Sequence, residues 1–154
     1  RDDPQDMITW KDLNSALGDL VSRTLEDAGL PAERDRQDVS KPVVRRSFRI
    51  DLTATDGMGT DDYAETGADV EIYFYPANSR RPRDEVQEAA QALRCALRPG
   101  IPVGGVVLEI ADTIETELSD SVLTLMFRLE WVETAAETGE YMETLVYNQE
   151  EATE

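Results

Sequence analysis

The apolar residues near the start of the chain recur at steps of three and four residues, which places them on one face of an α-helix. Thr9, with Asp12 three residues later, is a variant capping box at the start, and Gly29 followed by Pro31 ends the pattern. The sequence therefore predicts an amphipathic helix between these two signals. The residues of its apolar face are Trp10, Leu13, Leu17, Leu20, Val21, Leu25 and Ala28.

Two later segments alternate between apolar and polar residues, as half-buried strands do. They are Pro42–Thr55 and Ala68–Tyr75, and Pro76 ends the second one. The segment between them, Asp56–Gly67, combines glycines with small and acidic residues, which predicts a long hairpin loop or a flexible tip. The polar stretch before the first strand, Pro31–Lys41, has no period and is interpreted mainly as a connection.

Helical spacing returns in Asp84–Leu97, where an alanine-rich apolar stripe follows Pro82 and ends before Pro99. Two more segments, Val106–Glu115 and Ser121–Val132, have the composition and alternation of strands. The segment Glu115–Ser121 is predicted to be the hairpin loop that joins them. The second half of the chain is therefore predicted to contain one helix and two strands.

The elements run in the order α-β-β-α-β-β, which predicts an α+β domain with a mainly antiparallel four-stranded sheet and two helices packed on one face. We expect this domain to span residues 7–132. Residues 1–6 precede a methionine and are interpreted as an N-terminal extension or as residues added by cloning. Residues 133–154 are rich in glutamate and contain no lysine or arginine, which predicts an acidic C-terminal arm that orders only against a partner.

The charge of the chain disfavours several classes of function. The formal net charge is −18, from 33 acidic and 15 basic residues, whereas binding nucleic acid requires phosphates to be neutralised. No apolar run approaches the roughly 18 residues of a membrane span, and the N-terminus lacks the order of a signal peptide. We therefore expect a soluble protein that is made in the cytoplasm. Cys95 is the only cysteine, which excludes an internal disulfide, and we expect it to be buried or half-buried.

The chain contains no histidine, so it lacks the usual general base and the commonest metal ligand. Carboxylates remain available, and Asp56, Asp61 and Asp62 could bind a divalent cation through oxygen atoms. Their spacing does not match an EF-hand loop, and a solvated loop is the favoured interpretation. We expect no enzymatic activity, no metal and no cofactor.

Arginines cluster at two places. Arg80, Arg81 and Arg83 lie between the second strand and the second helix, and Arg45, Arg46 and Arg49 lead into the first strand. Each group is open to three interpretations: a phosphate contact, a salt bridge to an acidic neighbour, or a solvated loop. Sequence alone does not choose among them.

After Arg98 the only basic residue is Arg128, so charge is mixed early in the chain and acidic late. An acidic surface on one subunit could then meet an arginine loop on the next, and the alternative is a solvated acidic tail. The amphipathic Tyr73, Tyr75 and Trp131 could likewise lie at a subunit interface or simply cover a face of the sheet. The apolar residues of the arm that could dock on a partner are Tyr141, Met142, Leu145, Val146 and Tyr147.

Three stretches together give the chain a family resemblance. They are the opening helix ITWKDLNSALGDLVSRTLEDAGL, the join VEIYFYPANSRRPRDEV and the hairpin VVLEIADTIETELSDSVLTLMFRLEWV. Over Met7–Val132 their order resembles the tail terminator, or tail completion, proteins of long-tailed phages, the siphoviruses. The resemblance implies an α+β subunit of the virion that forms a ring, typically a hexamer, at the head-proximal end of the tail tube. Such a ring ends tube polymerisation and supplies the docking face for the head.

The partners that the resemblance implies are further copies of the chain, the tail tube protein and a head completion or connector protein. DNA passes through such a ring without specific binding, and a lumen that bears carboxylates would repel its phosphates. In this interpretation the Arg80–Arg83 loop bridges to an acidic neighbour and the arm docks on an adjacent protein. Two alternatives remain open: another connector or neck ring between head and tail, and an acidic DNA mimic that inhibits a nucleic-acid enzyme.

Overall fold

A computed structural model of the chain describes residues 8–35, 46–59, 63–77, 81–119 and 121–134. At 56–59, 63–65, 133 and 134 it describes the backbone alone. The described residues form two helices and seven strands. These are α1 (Trp10–Asp27), β1 (Glu33–Arg34), β2 (Ser47–Gly59), β3 (Tyr63–Tyr75), α2 (Pro82–Leu97), β4 (Ile101–Val103), β5 (Val106–Leu108), β6 (Ile110–Ser119) and β7 (Val122–Thr134).

Five of the strands form one sheet in the order β1-β2-β3-β7-β6. β1 runs parallel to β2, and the other neighbours are antiparallel. The predicted α+β class with a mainly antiparallel sheet is therefore confirmed. The sheet has five strands and not four because β1 lies in the segment interpreted as a connection, where two residues are too few to show alternation. β4 and β5 pair with each other in a separate hairpin.

The first helix begins at the signal that the sequence predicts. The hydroxyl oxygen of Thr9 accepts a hydrogen bond from the backbone N–H of Asp12 at 3.0 Å. On the side that faces β1, Gly18 leaves room for the guanidinium of Arg34, which a Cβ at position 18 would strike. Arg34 also donates a hydrogen bond to the backbone carbonyl of Asn14 at 3.2 Å, so β1 is tied to the helix. The large apolar residues that α1 buries are Leu13, Leu17, Val21 and Leu25.

The second helix starts with Pro82 in its first turn, followed by Asp84 and Glu85, whose charges suit a helix N-terminus. Both helices bury their apolar sides in a single core with one face of the sheet. Among the described residues, no helix covers the opposite face. The core residues from the sheet are Phe48, Ile50, Ala68, Val70, Ile72, Phe74, Leu123, Leu125, Phe127 and Leu129.

The hairpin between β2 and β3 is longer than predicted. Most of Asp56–Gly67 continues the two strands, since β2 runs to Gly59 and β3 starts at Tyr63. The backbone ladder extends into this region, with Asp56 opposite Thr66 and a register shift beyond that pair. The prediction of a long loop was wrong because glycine and acidic residues indicate only a local preference for turns. Here β3 pairs with β2 on one side and with β7 on the other, and this pairing overrides the local preference.

The strand predicted at Val106–Glu115 is in fact two elements. Val106–Leu108 forms β5, which folds back on β4 through a turn where Gly104 has a φ of 62°, and β6 begins only at Ile110. A continuous run of apolar and β-branched residues does not reveal such a break. The prediction for Cys95 was also wrong, because its side chain lies on the exposed side of α2.

Candidate assembly surfaces

The helix-free side of the sheet is lined mainly by polar side chains. Side chains alternate along a strand, so the residues that flank the buried apolar positions point to this side. Cross-strand pairing aligns them in rows, for example Arg49 beside Tyr73, and Tyr73 beside Thr124. We call this surface the acidic face. Its described acidic residues are Asp51, Asp69, Glu71, Glu115, Glu117 and Glu130, and its described basic residues are Arg49 and Arg128.

Arg49, Tyr73 and Glu71 form a connected cluster on the acidic face. The guanidinium carbon of Arg49 lies 4.5 Å from the centroid of the Tyr73 ring, and its Nη2 lies 3.5 Å from Oδ2 of Asp51. The Tyr73 hydroxyl donates a hydrogen bond to Oε1 of Glu71 at 2.7 Å. That hydrogen bond, together with burial, raises the pKa of Tyr73 above its ordinary value. One of the predicted interface tyrosines is therefore held in a fixed orientation by its own sheet.

Arg128 reaches from β7 across β3 to β2. Its Nε donates a hydrogen bond to Oε2 of Glu130 at 2.7 Å, and its Nη1 donates to Oγ1 of Thr55 at 2.6 Å and lies 3.3 Å from Oδ1 of Asp69. Gly67 makes this path possible, because a Cβ there would lie 2.5 Å from Nη2 of Arg128. One arginine thus links three strands on the acidic face.

A buried carboxylate fixes the join between β3 and α2. Glu85 is only 6% exposed, and its Oε2 accepts hydrogen bonds from the backbone N–H of Ala77 at 2.9 Å and from Nε of Arg46 at 2.6 Å. Nη1 of Arg46 also donates to the backbone carbonyl of Pro31 at 3.3 Å. The structure therefore places Arg46 in an ion pair within the chain. Because Arg46 and Glu85 are 39 positions apart, no local pattern in the sequence indicates the pair.

The other residues predicted for the interface have different locations. Arg81 and Arg83 are exposed at the start of α2, and Tyr75 is half-buried at the end of β3. The cation-site candidates Asp61 and Asp62 lie outside the described residues, as does the side chain of Asp56. The remaining predicted interface and arm residues also lie outside them: Arg45, Arg80, Tyr141, Met142, Leu145, Val146 and Tyr147.

Comparison with known proteins identifies the family of the chain. A family model described as phage tail terminator protein matches residues 16–140, which is most of the chain. The chain belongs to the phage tail terminator family. This terminator is accordingly a structural phage tail protein and a component of the virion. A search of the curated proteins gave no match.

The sheet of this terminator has two edges that sequence reasoning missed. β6 forms one edge, with 10 residues whose side chains are mostly exposed. At the other edge β1 covers β2 only at Ser47 and Phe48, and no other described residue pairs with the outer side of β2. Alternation indicates which residues share a face of a strand, but it does not indicate which strands lie at the edges.

The exposed large apolar side chains of the terminator lie on several elements and do not come from one segment. They are Trp10, Val106, Val107, Leu118 and Val132. Single exposed apolar residues are normal on protein surfaces and indicate no site by themselves. In the part of the chain that the structure describes, no helix is both long enough and apolar enough to span a bilayer.

Proposed function

We propose that this terminator forms a ring at the head-proximal end of the tail tube, where it ends tube polymerisation and presents the surface that docks the head. The observation that carries the proposal is the acidic face, on a chain that belongs to the terminator family. A hexamer is the ring size that the family resemblance implies. The protein partners are then the tail tube protein and a head completion or connector protein.

In the proposed ring, the acidic face lines the passage for DNA. Carboxylates that line a concave surface focus a negative potential, which repels the phosphate backbone and keeps DNA from binding. The two arginines of this face, Arg49 beside Asp51 and Arg128 beside Asp69 and Glu130, offset only part of this charge, because the described acidic residues of the face outnumber them. DNA can then slide past without a specific contact.

The proposed outer contacts use the arginine loop and the arm. Arg81 and Arg83 are exposed beside the join that Glu85 fixes, and Arg80 precedes them in sequence. We assign these arginines to a salt bridge with an acidic surface on the next subunit or on the tube. The predicted acidic arm, of which Glu133 and Thr134 belong to β7, docks through its apolar residues on a neighbouring protein.

The test is the solution mass of the chain by light scattering, alone and with the tail tube protein of the same genome, followed by negative-stain imaging. Rings that form freely or only on tube ends, with tubes that stop growing, are the expected result. A monomer that ignores the tube would contradict the proposal. Rings that leave tube growth unchanged would favour another connector or neck ring between head and tail.

The acidic face also suits a second function, an acidic DNA mimic that inhibits a nucleic-acid enzyme. Carboxylates spaced along a sheet can imitate the phosphates of a duplex, and a basic enzyme would then bind them in a salt-sensitive way. This function predicts a monomer or dimer that makes no contact with tail tubes. The light-scattering experiment therefore separates the two functions.

A further inference from the structure

We propose that neighbouring copies of this chain join through their sheets, with the outer edge of β6 in one copy paired to the outer edge of β2 in the next. The inference rests on the proposed ring and names the surface that builds it. The junction itself would be antiparallel, and it would make one sheet that continues from subunit to subunit. Its acidic face would then be continuous on one side and its helices would lie on the other.

The hydrogen bonds between β2 and the segment around β1 show which residues of β2 point their backbone N–H and C=O groups toward the outer edge of the sheet. The N–H of Glu33 donates to the carbonyl of Arg46 at 3.2 Å, and the N–H of Asp35 donates to the carbonyl of Phe48 at 2.8 Å. Even-numbered residues at the start of β2 therefore point their backbone groups outward. Since successive residues of a strand alternate in this respect, Ile50, Leu52 and Ala54 present N–H and C=O groups at an edge where no described residue pairs with them.

The same alternation can be carried across the sheet to β6. The odd-numbered residues of β2 form backbone hydrogen bonds with the odd-numbered residues of β3 that lie opposite them. The even-numbered residues of β3 therefore bond to the odd-numbered residues of β7. This leaves the even-numbered residues of β7 to bond to β6. In the regular part of β6, Glu115, Glu117 and Ser119 then bond to β7, because they lie opposite Met126, Thr124 and Val122. Thr116 and Leu118 consequently present their N–H and C=O groups to the outside.

The directions of the strands suit a head-to-tail junction. β2, β3, β7 and β6 alternate in direction, so the two edges of this set of four run in opposite directions. A second copy placed beside the first by rotation brings β2 against β6 in antiparallel orientation, with the same face on the same side. Repetition of one such contact gives a ring when the rotation between neighbouring copies divides a full turn, as the proposed ring requires.

Charge favours this junction over a two-fold pairing of β6 with itself. The β6 segment Ile110–Ser119 carries Asp112, Glu115 and Glu117 and no basic residue, so a β6–β6 pair would place like charges opposite each other. On the same face β2 carries both Arg49 and Asp51, so it meets Glu115 and Glu117 with one basic and one acidic residue, whereas a second β6 would present carboxylates without a basic residue. On the other face, the exposed Leu118 of β6 would gain a half-buried apolar neighbour in Leu52.

Proline substitution at outward positions tests the junction without removing a bond inside the chain. Thr116→Pro deletes one outward N–H of β6 and Ala54→Pro deletes one of β2, and edge positions tolerate proline when the N–H faces solvent. Thr116→Ala is the matched control, because it removes the side chain and keeps the N–H. We expect each proline variant to be folded by circular dichroism but monomeric, under conditions where the wild type and Thr116→Ala assemble.

A mixture of the two proline variants tests the direction. Thr116→Pro retains its β2 edge and Ala54→Pro retains its β6 edge, so the mixture should give a dimer by sedimentation, while each variant alone stays monomeric. A dimer from either variant alone would indicate two-fold pairing and overturn the proposal, as would a mixture that stays monomeric wherever the wild type assembles.

The failure of this inference can be distinguished from the failure of the proposed function. Rings from both folded proline variants would overturn edge pairing and leave the terminator function intact. A wild-type chain that assembles neither alone nor on tubes would overturn both. Rings that persist in Thr116→Pro but no longer bind tubes would assign the β6 edge to the tube protein, against the proposal.

Discussion

Glu85 is the residue on which three segments of the chain converge. Its carboxylate accepts hydrogen bonds from the backbone of Ala77 and from Arg46, and it is almost fully buried. Glu85→Ala would leave a backbone N–H and a half-buried guanidinium without this acceptor. We expect the free energy of unfolding to fall by about 2–3 kcal/mol, below the cost of breaking a fully buried pair because Arg46 is partly exposed.

Urea unfolding measures this loss, and Glu88→Ala is its control. Glu88 lies on the exposed side of the same helix, so its replacement should change the free energy of unfolding by no more than about 0.5 kcal/mol. Equal stabilities for the two variants would show that the ion pair contributes nothing beyond its surroundings.

Because of Tyr73, we expect the free energy of unfolding to depend on pH in the alkaline range. Its raised pKa means that folding favours the protonated phenol, which donates to Glu71. This contribution is complete below the unfolded pKa of about 10 and is lost as pH rises through the higher folded pKa. At about pH 8, Tyr73→Phe should lower the free energy of unfolding by roughly 0.5 kcal/mol, a low value because the pair is partly open to solvent.

The measurement is the difference in unfolding free energy between wild type and Tyr73→Phe as a function of pH. The difference should shrink above about pH 10, because the wild-type phenolate can no longer donate. A difference that stays constant or grows through this range would be inconsistent with the hydrogen bond to Glu71.

At the residue scale, sequence reasoning found the relevant residues but not their partners. Arg46 was recognised as part of a basic group, yet its partner Glu85 lies in another element. The role of Gly67 depends on the path of Arg128 across the sheet, which only the strand register defines. Such pairs are set by tertiary packing, and local sequence patterns carry no information about them.

At the element scale, the sequence predicts the two helices closely. Their apolar faces are long and periodic, and Thr9 and Pro82 mark the starts of α1 and α2. Shorter or mixed signals were less informative: β1 is only two residues long, and β5 and β6 appear in sequence as a single run. Strand order requires knowledge of pairing, which explains why the edges of the sheet could not be predicted.

The loop before α2 gives a prediction at this scale. Replacing Arg80, Arg81 and Arg83 together by glutamate should abolish rings without unfolding the chain, because the proposed salt bridges to an acidic neighbour would become repulsive. Light scattering reports assembly, and circular dichroism reports the fold. The control reverses Arg94 and Arg98, which are exposed at the other end of the same helix. Intact rings from the loop variant would refute the role of the loop.

At the scale of the whole molecule, the two faces of the sheet differ in what they contact. One face meets both helices in the core, and the other carries the carboxylates. If edge pairing repeats this arrangement around a ring, the helices form the outside and the acidic face forms the inside. The same topology that divides core from solvent in one subunit would then divide the outer wall from the DNA passage in the assembly.

This arrangement predicts what a change of charge on the inner wall would do. Replacing Asp69, Glu71 and Glu130 by lysine would make the acidic face attractive to phosphates, so DNA should be held in the passage. The matched variant replaces Asp19, Glu26 and Glu88 by lysine. These residues are exposed on the helices, and their replacement causes the same change in net charge.

Phage particles completed with each variant would be counted by negative-stain imaging and by infectious titre. We expect equal numbers of tailed particles, with a lower titre only for the sheet-face variant, because its DNA leaves the particle slowly. Equal titres would mean that the acidic face does not line the passage.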